Sequence, residues 1–319
     1  MFAIFCLVIA ALIGGWLVTK VNLPAVIGQM LAGLLLGPSL LNLSLPMDWL
    51  HLASELGVWL LMYEAGLAVD AAALKANFSI ANRVAWLGAF VPFGVFWAIE
   101  LWLHQTLLIA SFSGLVFAAT SISITLAVLG THHQLGSRIG SIILGAAIID
   151  DMIAILGLTA VTFVTSGAGV NLTNFLPLIW FILGFISRRV TRLATINHHL
   201  ITAATWTVIP LFFAGIGAQI NVATLIPMFG PLIIWTLIAV ATKMLGAYIA
   251  SKWSGLSNLT AAAIGSGMVA RGEMALVILT AGLASQLITT SQFTFYTAVV
   301  TLTTVLAPLI MEPLFKRLR

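Results

Sequence analysis

Residues 139–164, IGSIILGAAIIDDMIAILGLTAVTFV, are apolar almost from end to end, with two adjacent carboxylates, Asp150 and Asp151, in the middle. At about 1.5 Å of rise per residue, a helix over this run crosses a hydrocarbon layer about 30 Å thick. It sets Asp151 roughly 18 Å from Ile139, about halfway through. An ionisable group at that depth is costly, and a second beside it costs more because it ionises against the first. Intramembrane acids of this kind mark ion and proton pathways. The bland alternative is a pair buried in protein and held neutral or paired.

The rest of the chain agrees with a membrane setting. Of 319 residues, 61% are hydrophobic and only 7% charged, a composition that soluble domains do not have. Long unbroken runs argue for helices; a β-barrel would show short alternating segments. The expected class is an all-α polytopic membrane protein, one transmembrane domain over 1–319 with no soluble domain. The lone Cys6 excludes an intrachain disulfide and a cysteine metal cluster. Residues 2–18 have no basic stretch before them and read as a retained first span.

Eleven hydrophobic segments follow from the pattern: about 2–18, 25–41, 52–68, 80–103, 107–129, 139–165, 174–187, 200–220, 226–250, 259–286 and 293–315. The basic residues test this division. Lys20, Lys75, Arg138, Arg188, Arg189, Arg192 and Lys252 fall in the odd loops, Arg83 at the loop-three edge of segment four, and Lys316, Arg317 and Arg319 in the tail. The even loops and the N-terminus carry none. The positive-inside rule then places the N-terminus outside and the C-terminus in the cytoplasm. The net charge of +4 is accounted for by these loops and implies no nucleic-acid partner.

The charges expected to be buried are therefore few: Glu64, Asp150, Asp151, Lys243, Arg271 and Glu273, with Asp70, Glu100 and Glu312 nearer segment ends. Glu273, two residues from Arg271, reads as its partner. Lys243 is two turns deeper than the interfacial Lys252, so a buried carboxylate is its expected partner. Two segments look interrupted. Segment five reads FAATSISIT, with Thr120, Ser121, Ser123 and Thr125; segment ten reads IGSGMVARGEMA, with Gly265, Gly267 and Gly272 around the charges. They hold corresponding places in two halves and cross in opposite senses, as in an inverted repeat, which points to a transporter's binding site.

Together these stretches resemble the second cation:proton antiporter family, which includes NapA-type sodium/proton antiporters and Kef-type potassium/proton systems. The resemblance rests on LPAVIGQMLAGLLLGP at 23–38, LLMYEAGL at 60–67, AATSISIT at 118–125, AAIIDDMIAIL at 146–156, IPLFFAGIGAQIN at 209–221, Lys243, and GMVARGEMALVI at 267–278, in that order. It implies an NhaA-like inverted-repeat fold with about eleven transmembrane helices, two of them discontinuous and crossing. The first repeat spans about 2–165 and a shortened second about 174–315. Only some 58 residues separate Asp151 from the IPLFF stretch, where two further helices are expected. It also implies a core bundle that moves against a dimerisation bundle, a homodimer in membrane lipid, and the bacterial inner membrane as location. Asp151 would bind the monovalent cation or the proton. Asp150 would pair with Lys243, and Thr120 and Ser121 would lie beside the site.

The expected function is secondary antiport of a monovalent cation (Na⁺ or K⁺) against H⁺, by competition at Asp151, with no covalent step, no enzymatic activity and no cofactor. The rivals are a sodium-coupled organic-anion symporter of similar fold, and a cation channel or non-transporting scaffold.

Overall fold

The structure, a computed structural model, describes residues 2–21, 25–37, 39–42, 47–68, 77–121, 125, 128–129, 134, 137–165, 176–189 and 194–318. They are helical wherever regular. The helices are α1 (Phe2–Thr19), α2 (Ala25–Leu36), α3 (Met47–Ala68), α4 (Phe78–Trp102), α5 (Leu107–Ala118), α6 (Arg138–Thr165), α7 (Leu176–Arg189), α8 (Ala194–Trp206), α9 (Val208–Ala218), α10 (Val222–Leu225), α11 (Phe229–Trp253), α12 (Asn258–Gly267), α13 (Glu273–Ala284) and α14 (Thr290–Lys316). Helices close all their backbone hydrogen bonds internally, which lipid demands. Among the described residues, five helical stretches are long and apolar enough to cross a membrane, including Phe78–Trp102, Arg138–Val161 and Phe229–Trp253.

Two sequence boundaries move. Segments five and ten are broken as expected: α5 stops at Ala118, and residues 268–272 separate α12 from α13. Segment eight is also divided, at Thr207 (φ −131°, ψ −78°), which the hydropathy pattern does not show. Pro210 explains it. Its ring excludes the carbonyl of the residue four back, Trp206, where α8 ends. Segment two ends at Leu36, ahead of Gly37 and Pro38.

The chain forms two compact units. The first holds α1–α3, α7–α10 and residues 289–295. Its helices pack backbone to backbone through glycine. A Cβ on Gly33 of α2 would run into the Ala214 backbone of α9, and one on Gly217 of α9 into the Met30 carbonyl of α2. α3 and α7 meet through Trp59 stacked on Trp180, ring centroids 6.2 Å apart. Small residues at such crossings let dispersion forces act where lipid supplies no hydrophobic drive. Gly217→Val is therefore expected to destabilise the fold by about 1–3 kcal/mol, read as a lower thermal midpoint in detergent. An unchanged midpoint would contradict this packing.

The second unit holds α4–α6, α11–α13 and α14 from Tyr296 onward. Ile142, Ile143 and Ala146 of α6, Val84 and Ala85 of α4, Ala247 of α11 and Ile264 of α12 form one buried cluster. α4 and α6 run alongside each other from their starts, where Asn77 Nδ2 donates to Ser141 Oγ at 3.1 Å. This bundle holds both interrupted segments and the buried charges Asp150, Asp151, Lys243 and Arg271.

Candidate functional site: a buried carboxylate centre at two helix breaks

The centre forms because α5 ends in mid-bundle. A helix C-terminus leaves carbonyls without intrahelical partners and carries a partial negative charge. Here two cations take up those carbonyls. Lys243 Nζ, from the middle of α11, donates to Ala118 O at 2.5 Å. Arg271 donates to Phe117 O from Nε at 3.0 Å and Nη2 at 2.8 Å. Arg271 further reaches Ala239 O at 2.9 Å and Val269 O at 3.3 Å. Both side chains are fully buried.

Beyond Ala118 the chain is extended, with Ala119 at φ −61° and ψ 147°. The two breaks are laced together. Ser121 N donates to Ala270 O at 2.8 Å, and Thr125 Oγ1 to Gly267 O at 2.7 Å. Thr304 of α14 donates a short hydrogen bond to Arg271 O. Each irregular backbone group named here finds a protein partner, the condition for non-helical chain at membrane depth.

The extension delivers Thr120 to α6. Its Oγ1 donates to Asp150 Oδ2 at 2.6 Å, and the same oxygen accepts from Lys243 Nζ at 2.6 Å. Asp150 is 2% exposed and its Oδ1 has no hydrogen-bond partner among the described residues. Asp151 follows on the same helix, 5% exposed and within electrostatic reach of Lys243. Successive helical residues diverge by about 100°, so the two carboxylates leave α6 in different directions.

Of the residues singled out in sequence, Asp150, Thr120 and Lys243 are in direct contact, and Asp151 and Ser121 adjoin them in the chain. Arg271 braces the end of α5 through carbonyl oxygens. The side chain of Glu273 lies outside the described residues, as do Asp70 and Ser123. Glu64, in α3 of the other unit, is half-buried. Sequence reasoning missed Thr304 and the carbonyls of Phe117, Ala118 and Ala239. For Thr304 the signal is the hydroxyl-rich run TLTT at 301–304, unusual in a span.

A transmembrane sodium/hydrogen exchanger family model matches residues 8–197 and 181–317 of the chain. A Na⁺/H⁺ antiporter of Enterococcus hirae is 32% identical over 374 aligned positions, covering 98% of each chain. The Na⁺/H⁺–K⁺ antiporter GerN of Bacillus cereus is 28% identical, covering 98% of this chain and 96% of its own. Among solved structures, the sodium proton antiporter MjNhaP1 of Methanocaldococcus jannaschii superposes with a TM-score of 0.71 at 16% identity, over 98% of this chain and 96% of that one. The fold is thus that of this antiporter.

Proposed function

The chain belongs to the sodium/hydrogen exchanger family, and on that premise we propose that it is an integral membrane antiporter exchanging a monovalent cation for protons at Asp151. The observation that carries the reading is the Asp150–Lys243–Thr120 cluster, buried where α5 is interrupted. A carboxylate there holds either a proton or a cation, and not both, so competition couples the two fluxes without a covalent step. Asp150, Thr120 and Ser121 supply further oxygens near Asp151. Thr120 spends its proton on Asp150, which leaves the lone pairs of its oxygen available to a cation. Lys243 balances the charge of Asp150, and Arg271 holds the end of α5 in place. Glu273 is assigned to the same bracing group on sequence alone. Na⁺ and K⁺ both occur in the names of relatives.

The test is dye-reported proton flux in proteoliposomes, with Na⁺, K⁺ and Li⁺ added in turn. Cation-evoked proton movement against an imposed gradient is expected. Conductance without exchange would identify a channel instead.

The chain is also shortened. The alignment to the E. hirae antiporter is 374 positions long against 319 residues here, so at least 55 positions have no counterpart. The family model matches in two pieces that overlap at 181–197. This supports a loss of about two helices between α6 and α9, which leaves the orientation downstream unchanged. The repeats run over about 2–165 and 174–315, and the protein works as a homodimer in the inner membrane, N-terminus outside. In a Cys6→Ser background, a cysteine replacing Ser187 is expected to be labelled only from the cytoplasmic side. One replacing Asn221 should be labelled only from outside. Reversed labelling at either position would refute the topology.

A further inference from the structure

Glu100 plays no part in the centre described above. It lies two residues from the end of α4 and is 2% exposed. The Tyr296 hydroxyl of α14 donates a short hydrogen bond to its Oε1. Ser113 of α5 lies against both the carboxyl and the phenol. Ser113 is fully buried, yet its Oγ makes no well-aligned hydrogen bond among the described residues. The three polar groups come from three helices and meet inside an aromatic shell. Phe117 stacks on Phe96 at 4.0 Å, and the Tyr296 ring lies 5.6 Å from Phe117 and 5.8 Å from Trp235.

This group is separate from the aspartate centre. Seven residues of chain separate Ser113 from Thr120, and eight separate Trp235 from Lys243 and Tyr296 from Thr304. Each spacing corresponds to about 10–12 Å of helix. Among the described residues, no Lys, Arg or His lies in ion-pair range of Glu100. The elements packed around it bring Ser113 and Phe117 from α5, Trp235 from α11 and Tyr296 from α14; on Phe117, the Arg271 guanidinium lies 6.0 Å from the ring and is engaged by the Phe117 carbonyl. Lys243 lies beside Gly88 of α4, twelve residues before Glu100, and is engaged with Asp150 of α6.

A bare carboxylate in an apolar shell without a base is not tolerated; it holds a proton or a metal cation. A dehydrated hard cation takes about six oxygens. Among the described side chains the shell offers one carboxyl group and two hydroxyls, one of them already donating to Oε1. The proton fits and the cation does not. A proton on Oε2 also gives the unused Ser113 Oγ a donor to accept from.

We propose that Glu100, Ser113 and Tyr296 form a second proton-binding site, in which Glu100 carries an exchangeable proton distinct from the one that competes with the cation at Asp151. Tyr296 donates to Oε1, and Ser113 accepts the proton carried on Oε2. The site loads and unloads as pH changes, and it sets the pH profile of exchange rather than cation affinity.

Infrared difference spectra between acid and alkaline pH, on the full chain in nanodiscs, test this directly. A carboxyl C=O band is expected in the wild type, lost in Glu100→Gln and retained in Asp151→Asn. Tyr296→Phe and Ser113→Ala each remove one hydrogen-bond partner while leaving the shell packed, and each is expected to shift that band. These two variants carry the test if Glu100→Gln fails to fold. A band unchanged in Glu100→Gln, or in both Tyr296→Phe and Ser113→Ala, overturns the site. In transport, which rests on the antiport reading, Glu100→Gln is expected to keep the cation KM and to displace the pH–rate profile. A profile superimposable on wild type overturns its part in exchange. Wild-type exchange by Asp151→Asn would instead sink the assignment of Asp151, and the band assignment would stand.

Discussion

Asp151→Asn is expected to reduce cation-dependent proton flux to the background of empty liposomes while the protein stays folded. Asparagine keeps the size of the side chain and its capacity to hydrogen-bond, but it takes up no proton and offers a cation no charge. Competition at the site then has no substrate on either side. Asp150→Asn provides the contrast. It leaves Lys243, fully buried, without the carboxylate that sits 2.6 Å away. Removing one partner of a buried pair costs about 3–5 kcal/mol. Asp150→Asn is therefore expected to lower the thermal midpoint clearly, and Asp151→Asn to leave it close to wild type. Wild-type exchange in Asp151→Asn would sink the assignment of the coupling carboxylate. Equal destabilisation by the two variants would show that Asp151 is structural as well.

Much of the fold is legible in the sequence because lipid enforces a simple code. A span must be apolar and helical, and a departure from either needs a protein partner. Hence FAATSISIT and IGSGMVARGEMA read as interruptions, and α5 and α12–α13 are broken there. Lys243 and Asp150, 93 residues apart, both stand out as charges in apolar runs. What joins them is less visible. The acceptors for Arg271 include the carbonyls of Phe117 and Ala239, and backbone groups have no letter in a sequence. Sequence proximity points to Glu273 for Arg271; that side chain lies outside the described residues, and the described hydrogen bonds of the guanidinium run to carbonyls 2, 32 and 154 positions away. The division of segment eight has the opposite lesson. Pro210 was in plain view, but hydropathy averages over a single proline, and only its clash with the carbonyl of Trp206 ends the helix.

Exchange is expected to be electrogenic, and Lys243→Gln to make it indifferent to voltage. Swapping one proton for one monovalent cation at Asp151 moves no net charge. A second proton must travel for the membrane potential to drive the cycle. Lys243 and Asp150 are placed to supply it. In the arrangement seen here Asp150 Oδ2 holds the ammonium, Thr120 shares that oxygen, and Ala118 O takes a second ammonium proton. A cation that draws Asp150 toward itself removes the charge that keeps the lysine ionised in an apolar bundle. The lysine then releases a proton rather than remain a buried, unpaired cation. That proton makes each cycle respond to the potential by about 2.3 kcal/mol per elementary charge per 100 mV. Glutamine retains a donor for Ala118 O and Asp150 but has no proton to release. Proteoliposomes with a clamped potential decide the matter. Wild-type exchange should accelerate or slow with the sign of the voltage, and Lys243→Gln should exchange at a rate that voltage does not change. A wild-type rate indifferent to voltage would refute electrogenic exchange. A full voltage response in Lys243→Gln, with transport intact, would confine the lysine to capping α5 and neutralising Asp150.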